Sequence, residues 1–203
     1  MAGKQAKLLS PDDIRRMLQT VSTHRYPERD RVIVLLSTKT GLRAAEIAKL
    51  TWPMVLDADG RVGRVIALED RIAKRGSGRS IPINGQLRRA LVDLRFVTAK
   101  CDFHMTGPIV RSERLEGEYL CNTAMRAGSI VFWFRRLYQR LGLLGCSSHS
   151  GRRTFITRAA RLVHKAGGSL RDVQQLAGHG SIEQTQSYIE GDSDSKRRLV
   201  ALI

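Results

Sequence analysis

A chain of 203 residues with 42% hydrophobic and 27% charged residues can bury a core without metal or disulfide staples and is too apolar for wholesale disorder. Thirty-five Lys and Arg against nineteen Asp and Glu give a formal net charge of +16, more than solubility calls for, and this points to a polyanionic partner, nucleic acid first. The longest apolar run, Val32 to Leu36, is too short to cross a bilayer. The first nine residues lack the apolar stretch of a signal peptide, and the three cysteines, Cys101, Cys121 and Cys146, contain neither a CxxC pair nor an even disulfide set. A single soluble, cytoplasmic domain with reduced thiols is the expectation.

In chain order, Ser10, Pro11 and Asp13 make a helix start, followed by one apolar stripe at Ile14, Met17, Leu18 and Val21. A second helix is predicted from about Arg29 to Thr40 with Gly41 as its stop, and a third from Arg43 to Leu50, before the Thr51-Trp52-Pro53 break. Val62, Val65, Ile66 and Leu68, then Ile81-Pro82-Ile83, are β-forming and flank a glycine-rich basic turn, Lys74 to Arg79. That pattern predicts a small antiparallel sheet with a cationic hairpin tip. Helix returns at Gln86 to Val97, residues 101 to 125 read as irregular with an extended piece at Pro108 to Val110, and Ile130 to Leu141 reads as a core helix carrying Val131, Phe132, Trp133, Phe134, Leu137 and Leu141. Three more helices follow, one from Ser147-Ser148 to Val163, one opened by Ser169 and Asp172 and closed by Gly178, and a short one capped by Ser181 and Gln184 and ending near Gly191. The fold class is therefore α+β, mainly α-helical, with one antiparallel sheet of about three strands.

Three stretches place basic or hydroxyl groups beside helix starts. Arg43 follows the tight turn Thr40-Gly41-Leu42, and His149 and Arg152 share a face at the head of another helix, where unpaired N–H groups and the dipole favour phosphate. His179 follows Gly178 and precedes Tyr188 by nine residues. Singly, each has a plainer reading: a solvated arginine, a capping histidine, a half-buried tyrosine. Tyr26, Tyr119 and Tyr138 keep that packing reading, and His24, His104 and His164 have no partner at metal-ligand spacing.

Together, TGLRAAEIAKLTW, KRGSGRSIPI, HSGRRTF and LAGHGSIEQTQSYIE, in this order and spanning about residues 8 to 190, resemble the signature boxes of the tyrosine recombinase (phage integrase) family. The resemblance implies an integrase-type catalytic domain. Arg43 then corresponds to the first catalytic arginine, Glu46 to the acid that supports it, Lys74 to the hairpin lysine, His149 and Arg152 to the His-x-x-Arg pair, His179 to the later histidine, and Tyr188 to the nucleophile. It departs from the family at two positions, where Gly151 stands in place of a usual leucine and Arg153 in place of a usual histidine; glycine there costs helix propensity.

The implied reaction is transesterification. Tyr188 attacks a DNA phosphorus, forming a 3′-phosphotyrosine and freeing a 5′-hydroxyl, with no ATP because the bond energy stays in the covalent link, no metal because the arginines fill its electrostatic role, and no cofactor. Arg43 and Arg152 would hold the non-bridging oxygens, His149 would accept the phenol proton or bond the phosphate, His179 would bond the phosphate, and Lys74 would protonate the leaving oxygen. Arg75, Arg79 and Arg153 read as DNA backbone contacts. The partner is double-stranded DNA carrying a specific recombination site, on which the chain works as a tetramer, associated with the nucleoid. With forty-two residues ahead of Arg43, the chain reads as one catalytic domain over 1–203 without the helical domain that usually precedes it, either excised or naturally short. The tail at 192–203, ending in Leu199, Val200, Leu202 and Ile203, docks on its own domain or passes to a neighbouring subunit. Two rival readings are a type IB topoisomerase, which would relax DNA without sequence preference or strand exchange, and a non-catalytic DNA-binding module.

Overall fold

The computed structural model describes residues 6–73, 76–99, 106–112, 115–116, 119–120, 123–188, 200–201 and 203. In chain order the elements are α1 (Pro11–Val21), α2 (Pro27–Lys39), α3 (Ala44–Lys49), a 3-10 turn (Trp52–Met54), β1 (Val65–Leu68), β2 (Arg79–Pro82), α4 (Gly85–Ala99), β3 (Leu115–Glu116), β4 (Tyr119–Leu120), α5 (Ala127–Arg140), α6 (Ser150–Leu162) continued by a 3-10 turn (Val163–Ala166), α7 (Leu170–Ala177) and α8 (Ile182–Gln186). The chain is mainly helical with short antiparallel strands, as its sequence predicts. No described helix is long and apolar enough to cross a membrane.

Local chemistry accounts for the helix ends. The Ser10 hydroxyl accepts the Asp13 N–H at 3.0 Å while the Asp13 carboxylate accepts the Ser10 N–H at 2.9 Å, so two otherwise orphaned donors are satisfied at the head of α1. Ser169 and Asp172 repeat the device at α7. The box expected from Ser181 and Gln184 does not form; the Glu183 side chain bonds Ser181 instead.

α2 is the central helix. Val32 to Leu36 are all fully buried, which a helix achieves only when it is covered on every side, and α1, α3, α4 and α6 pack around it. The main core runs from Leu9 to Tyr138, and a second, smaller one is formed by Ile156, Ala160, Val173 and Ala177, with Phe155 and Tyr188 against it.

Three expectations need correction. The sheet of about three strands is a pair among the described residues: β1 and β2 pair antiparallel, with Ile66 opposite Ile81. The segment read as irregular holds a second pair, β3 with β4, and its extended piece is fastened by the Thr51–Pro108 bridge and the Ile109 N–H to Leu50 carbonyl bond. In α5, Ile130, Phe134, Leu137 and Tyr138 are buried, but Val131 and Phe132 are 44% and 57% exposed. Consecutive apolar residues point around a helix, and only one face meets the core. Cys146 is a free, half-buried thiol, while Cys101 and Cys121 lie outside the described residues.

Candidate active site

The turn between α2 and α3 is built on Gly41, which takes a left-handed φ of +66°; a Cβ there would lie 2.5 Å from the Phe155 ring. Arg43 follows at the head of α3, and the buried Glu46 carboxylate accepts both its backbone N–H, at 2.9 Å, and its guanidinium, at 2.7 Å. The same carboxylate takes two further bonds of 3.2 Å from Arg79 on β2, whose Nε donates to the Leu176 carbonyl at 2.9 Å. Burial alone would raise the Glu46 pKa; the Arg79 hydrogen bonds and charge, with those of Arg43, outweigh it and hold the carboxyl below its ordinary value.

Arg79 is therefore not the surface phosphate contact its place beside the basic turn suggests. Its side chain is 6% exposed, and its guanidinium is spent on Glu46 and the end of α7. Gly178, the left-handed stop of α7 at φ +61°, lies directly over it: a Cβ there would stand 2.7 Å from an Arg79 terminal nitrogen.

The head of α6 brings His149 and Arg152 together. His149 is the exposed N-cap, and Arg152, one turn on, is buried. The Arg152 guanidinium donates to the Gly41 carbonyl at 2.8 Å and the Ala177 carbonyl at 2.7 Å, tying the α2–α3 turn to the end of α7. Burial, then the charge of Arg43, lowers its pKa to about 10, so it stays cationic at neutral pH. Gly151 is where α6 meets α2, against Ser37. A hollow of about 200 Å³ is lined by His149, Arg152, Arg153, Ser187, Tyr188 and Ala6. Arg153 donates to the Ala6 carbonyl from its rim.

Tyr188 lies just past α8 and is half-buried. Its ring stacks on His179, with centroids 5.4 Å apart and planes 25° apart; its N–H reaches the Thr185 carbonyl at 3.2 Å, and its own carbonyl accepts from Thr157 at 3.3 Å. The His179 Nδ1 lies 2.9 Å from the Thr185 hydroxyl. Burial, then the charges of Arg152, Arg43 and Arg79, depresses the His179 pKa to about 4, so the ring is neutral at pH 7.

The structure thus assembles Arg43, Glu46, His149, Arg152, His179 and Tyr188 from three separate stretches. Lys74 and Arg75 lie outside the described residues; the hairpin beside them is pinned where the Gly78 N–H meets the Asp70 carboxylate at 2.8 Å. Two guanidiniums share the Glu46 carboxylate and a third, that of Arg152, is held by carbonyls beside them, so among the described residues of this inner cluster positive charge exceeds negative, which suits an anion that gains charge as it reacts. Sequence reasoning did not find the inward role of Arg79 or the Thr185 contact. A polar residue three before Tyr188 was the one available signal for the latter.

The phage integrase family matches residues 7–194 of the chain. Similar curated proteins are the tyrosine recombinase XerC of Herpetosiphon aurantiacus, 27% identical over 192 residues covering 93% of this chain and 57% of that protein, and the tyrosine recombinase XerA of Pyrococcus furiosus, 27% identical over 182 residues covering 90% and 56%. The chain thus spans little more than half the length of these relatives. Among solved structures, the crystal structure of XerA recombinase superposes with a TM-score of 0.73 at 22% identity, covering 96% of this chain and 64% of that one. A lambda integrase dimer bound to a COC′ core site superposes at 0.66 and 18%, covering 95% and 50%.

Proposed function

Because the chain belongs to the phage integrase family, we propose that it is the catalytic domain of a site-specific DNA recombinase that cuts and rejoins strands through a 3′-phosphotyrosine. The observation that carries this reading is the Tyr188 ring stacked on His179 at the wall of the hollow that also contains Arg152 and His149.

In this reading the phosphodiester enters the hollow and the Tyr188 oxygen attacks phosphorus. Arg152 and Arg43 bond the non-bridging oxygens, where charge accumulates in the pentavalent transition state. Arg152 is held by two carbonyls, so its fork is oriented before substrate arrives and little reorganisation is needed. Glu46 acts through Arg43, fixing its guanidinium. His149, on the rim, takes the phenol proton or bonds the phosphate. His179 does not take that proton: an imidazole bonds in its own plane, and the tyrosine ring lies against its face. Lys74 supplies a proton to the departing 5′ oxygen, a role unsuited to His179, whose low pKa leaves the ring neutral at pH 7 with only the weakly acidic N–H of a neutral imidazole. The partner is double-stranded DNA bearing a recombination site, with four copies assembled on it.

Incubation with a suicide substrate, nicked so that the released strand diffuses away, tests the reading. A denaturation-resistant protein–DNA adduct should form, and Tyr188→Phe should abolish it while leaving DNA binding largely intact. An adduct that persists in Tyr188→Phe and maps to another tyrosine, such as Tyr138, overturns the assignment.

A further inference from the structure

We propose that Thr185 is a positioning residue that holds His179 in the Nε2–H tautomer, so that the imidazole presents one hydrogen-bond donor to the phosphate. The tautomer stands on geometry alone; the use of its donor rests on the function proposed above.

The Thr185 side chain is fully buried in α8, and its hydroxyl lies 2.9 Å from His179 Nδ1. A buried hydroxyl carries a proton that must find an acceptor. In a helix the usual acceptor is the carbonyl one turn back, as Thr154 uses the Ser150 carbonyl at 2.7 Å and Thr38 the Val34 carbonyl at 2.8 Å. Thr185 departs from that habit, and among the described residues its hydroxyl bonds the imidazole instead. If Nδ1 carried the ring proton, both groups would offer a donor and the threonine proton would be stranded in the interior. With the lone pair on Nδ1, threonine donates, histidine accepts, and the single proton of the neutral ring sits on Nε2.

The surroundings keep the ring to that one proton. Arg152, Arg43 and Arg79 all oppose a further positive charge on it, and among the described residues the other hydrogen bonds of His179 are made by its backbone, whose N–H donates to the Gln174 carbonyl and whose carbonyl accepts from the Gln174 side chain, both at 3.1 Å. Thr185 also joins the two rings mechanically: its hydroxyl holds His179, and its carbonyl accepts the Tyr188 N–H at 3.2 Å. One residue thereby sets both the protonation pattern of the histidine and the start of the turn that carries the tyrosine.

The test is ¹⁵N NMR of the histidine side chains in the full chain at pH 7, with the His179 signals identified by their loss in His179→Gln. Wild type and Thr185→Ser should both show Nδ1 unprotonated and Nε2 protonated. Thr185→Val, nearly the same shape without a donor, should raise the Nδ1–H population and slow covalent cleavage about tenfold to a hundredfold, the scale on which a lost imidazole-orienting partner is felt, with DNA binding little changed and Thr185→Ser retaining most of the rate. An Nδ1–H ring in wild type, or an unchanged tautomer in Thr185→Val, overturns the proposal, as does an unchanged cleavage rate in that variant. A wild-type chain with the expected tautomer that forms no adduct with DNA sinks the proposed function and leaves the tautomer assignment standing.

Discussion

Gly151 lies so close to Ser37 that a Cβ on it would stand 2.2 Å from the Ser37 hydroxyl oxygen and 3.0 Å from its Cβ. The glycine that departs from the family's leucine is thus no soft spot in α6. It is the point at which α6 settles onto α2, with Arg152 the next residue along. The Ser37 hydroxyl is itself buried without a hydrogen-bond partner among the described residues.

Gly151→Ala should therefore destabilise the chain although alanine is the better helix former. Overpacking costs about 1–3 kcal/mol against roughly 1 kcal/mol of recovered propensity. Adding Ser37→Gly, which removes the two side-chain atoms in the way but leaves the Ser37 backbone carbon at 3.2 Å and costs α2 some helix propensity, should recover part of the lost melting temperature; Ser37→Ala alone should be neutral or mildly stabilising because it removes an unsatisfied hydroxyl. A Gly151→Ala chain as stable as wild type would refute the close approach.

Glu46 is the anion that two arginines share, and removing it leaves the buried Arg79 without a counter-charge. Glu46→Ala should cost about 3–5 kcal/mol, the range for breaking a buried pair from one side, with Glu46→Gln milder. The folded-state carboxyl is held below its ordinary value, so its contribution is fully present above the unfolded pKa and is lost as pH falls through the folded one. The melting-temperature gap between wild type and Glu46→Gln should shrink as pH is lowered from about 6 to 3; a gap that widens contradicts the shared-carboxylate geometry.

Much of the scaffold was legible because its signals are local. The Ser10–Asp13 box, the Ile14-Met17-Val21 stripe and the stops at Gly41 and Gly178 each lie within a few residues of their partners. α5 misled because a dense apolar run gives no phase, and solvent-facing Val131 and Phe132 look no different in sequence from buried Phe134. Arg79 misled for a related reason: beside a glycine-rich basic turn an arginine reads as a DNA contact, and its partners, Glu46 and Leu176, are 33 and 97 residues away. Recognising Arg43, His149, Arg152, His179 and Tyr188 as a set required the family resemblance, since no spacing rule joins three distant segments.

The proton donor can be isolated with a substrate bearing sulfur at the 5′ bridging position, because a thiolate leaves without protonation. Lys74→Ala should cleave ordinary DNA about a hundredfold to ten-thousandfold more slowly and recover most of that loss on the sulfur substrate. Arg43→Ala and Arg152→Ala should not recover. Rescue of His179→Ala in place of Lys74→Ala would move the donor role to His179.

Affinity for DNA should be dominated by phosphate contacts, given the net charge of +16. If about six or more phosphates are engaged, log K should fall with log salt at a slope of about −5 or steeper. A titration nearly insensitive to salt would contradict the basic-surface argument.

The small cluster that Val173 and Ala177 share with α6 is separate from the main core, and the arginine forks of Arg79 and Arg152 grip the last carbonyls of α7. With few apolar contacts and several polar ones, α7 and α8 should open at lower cost than the main core around α2. Amide exchange there should proceed through sub-global openings while α2 exchanges only on complete unfolding. Tyr188 thus rides on a segment fastened through the Arg152 guanidinium, and in the function proposed above that same guanidinium bonds the phosphate, so the latch on the tyrosine and the phosphate site share one side chain.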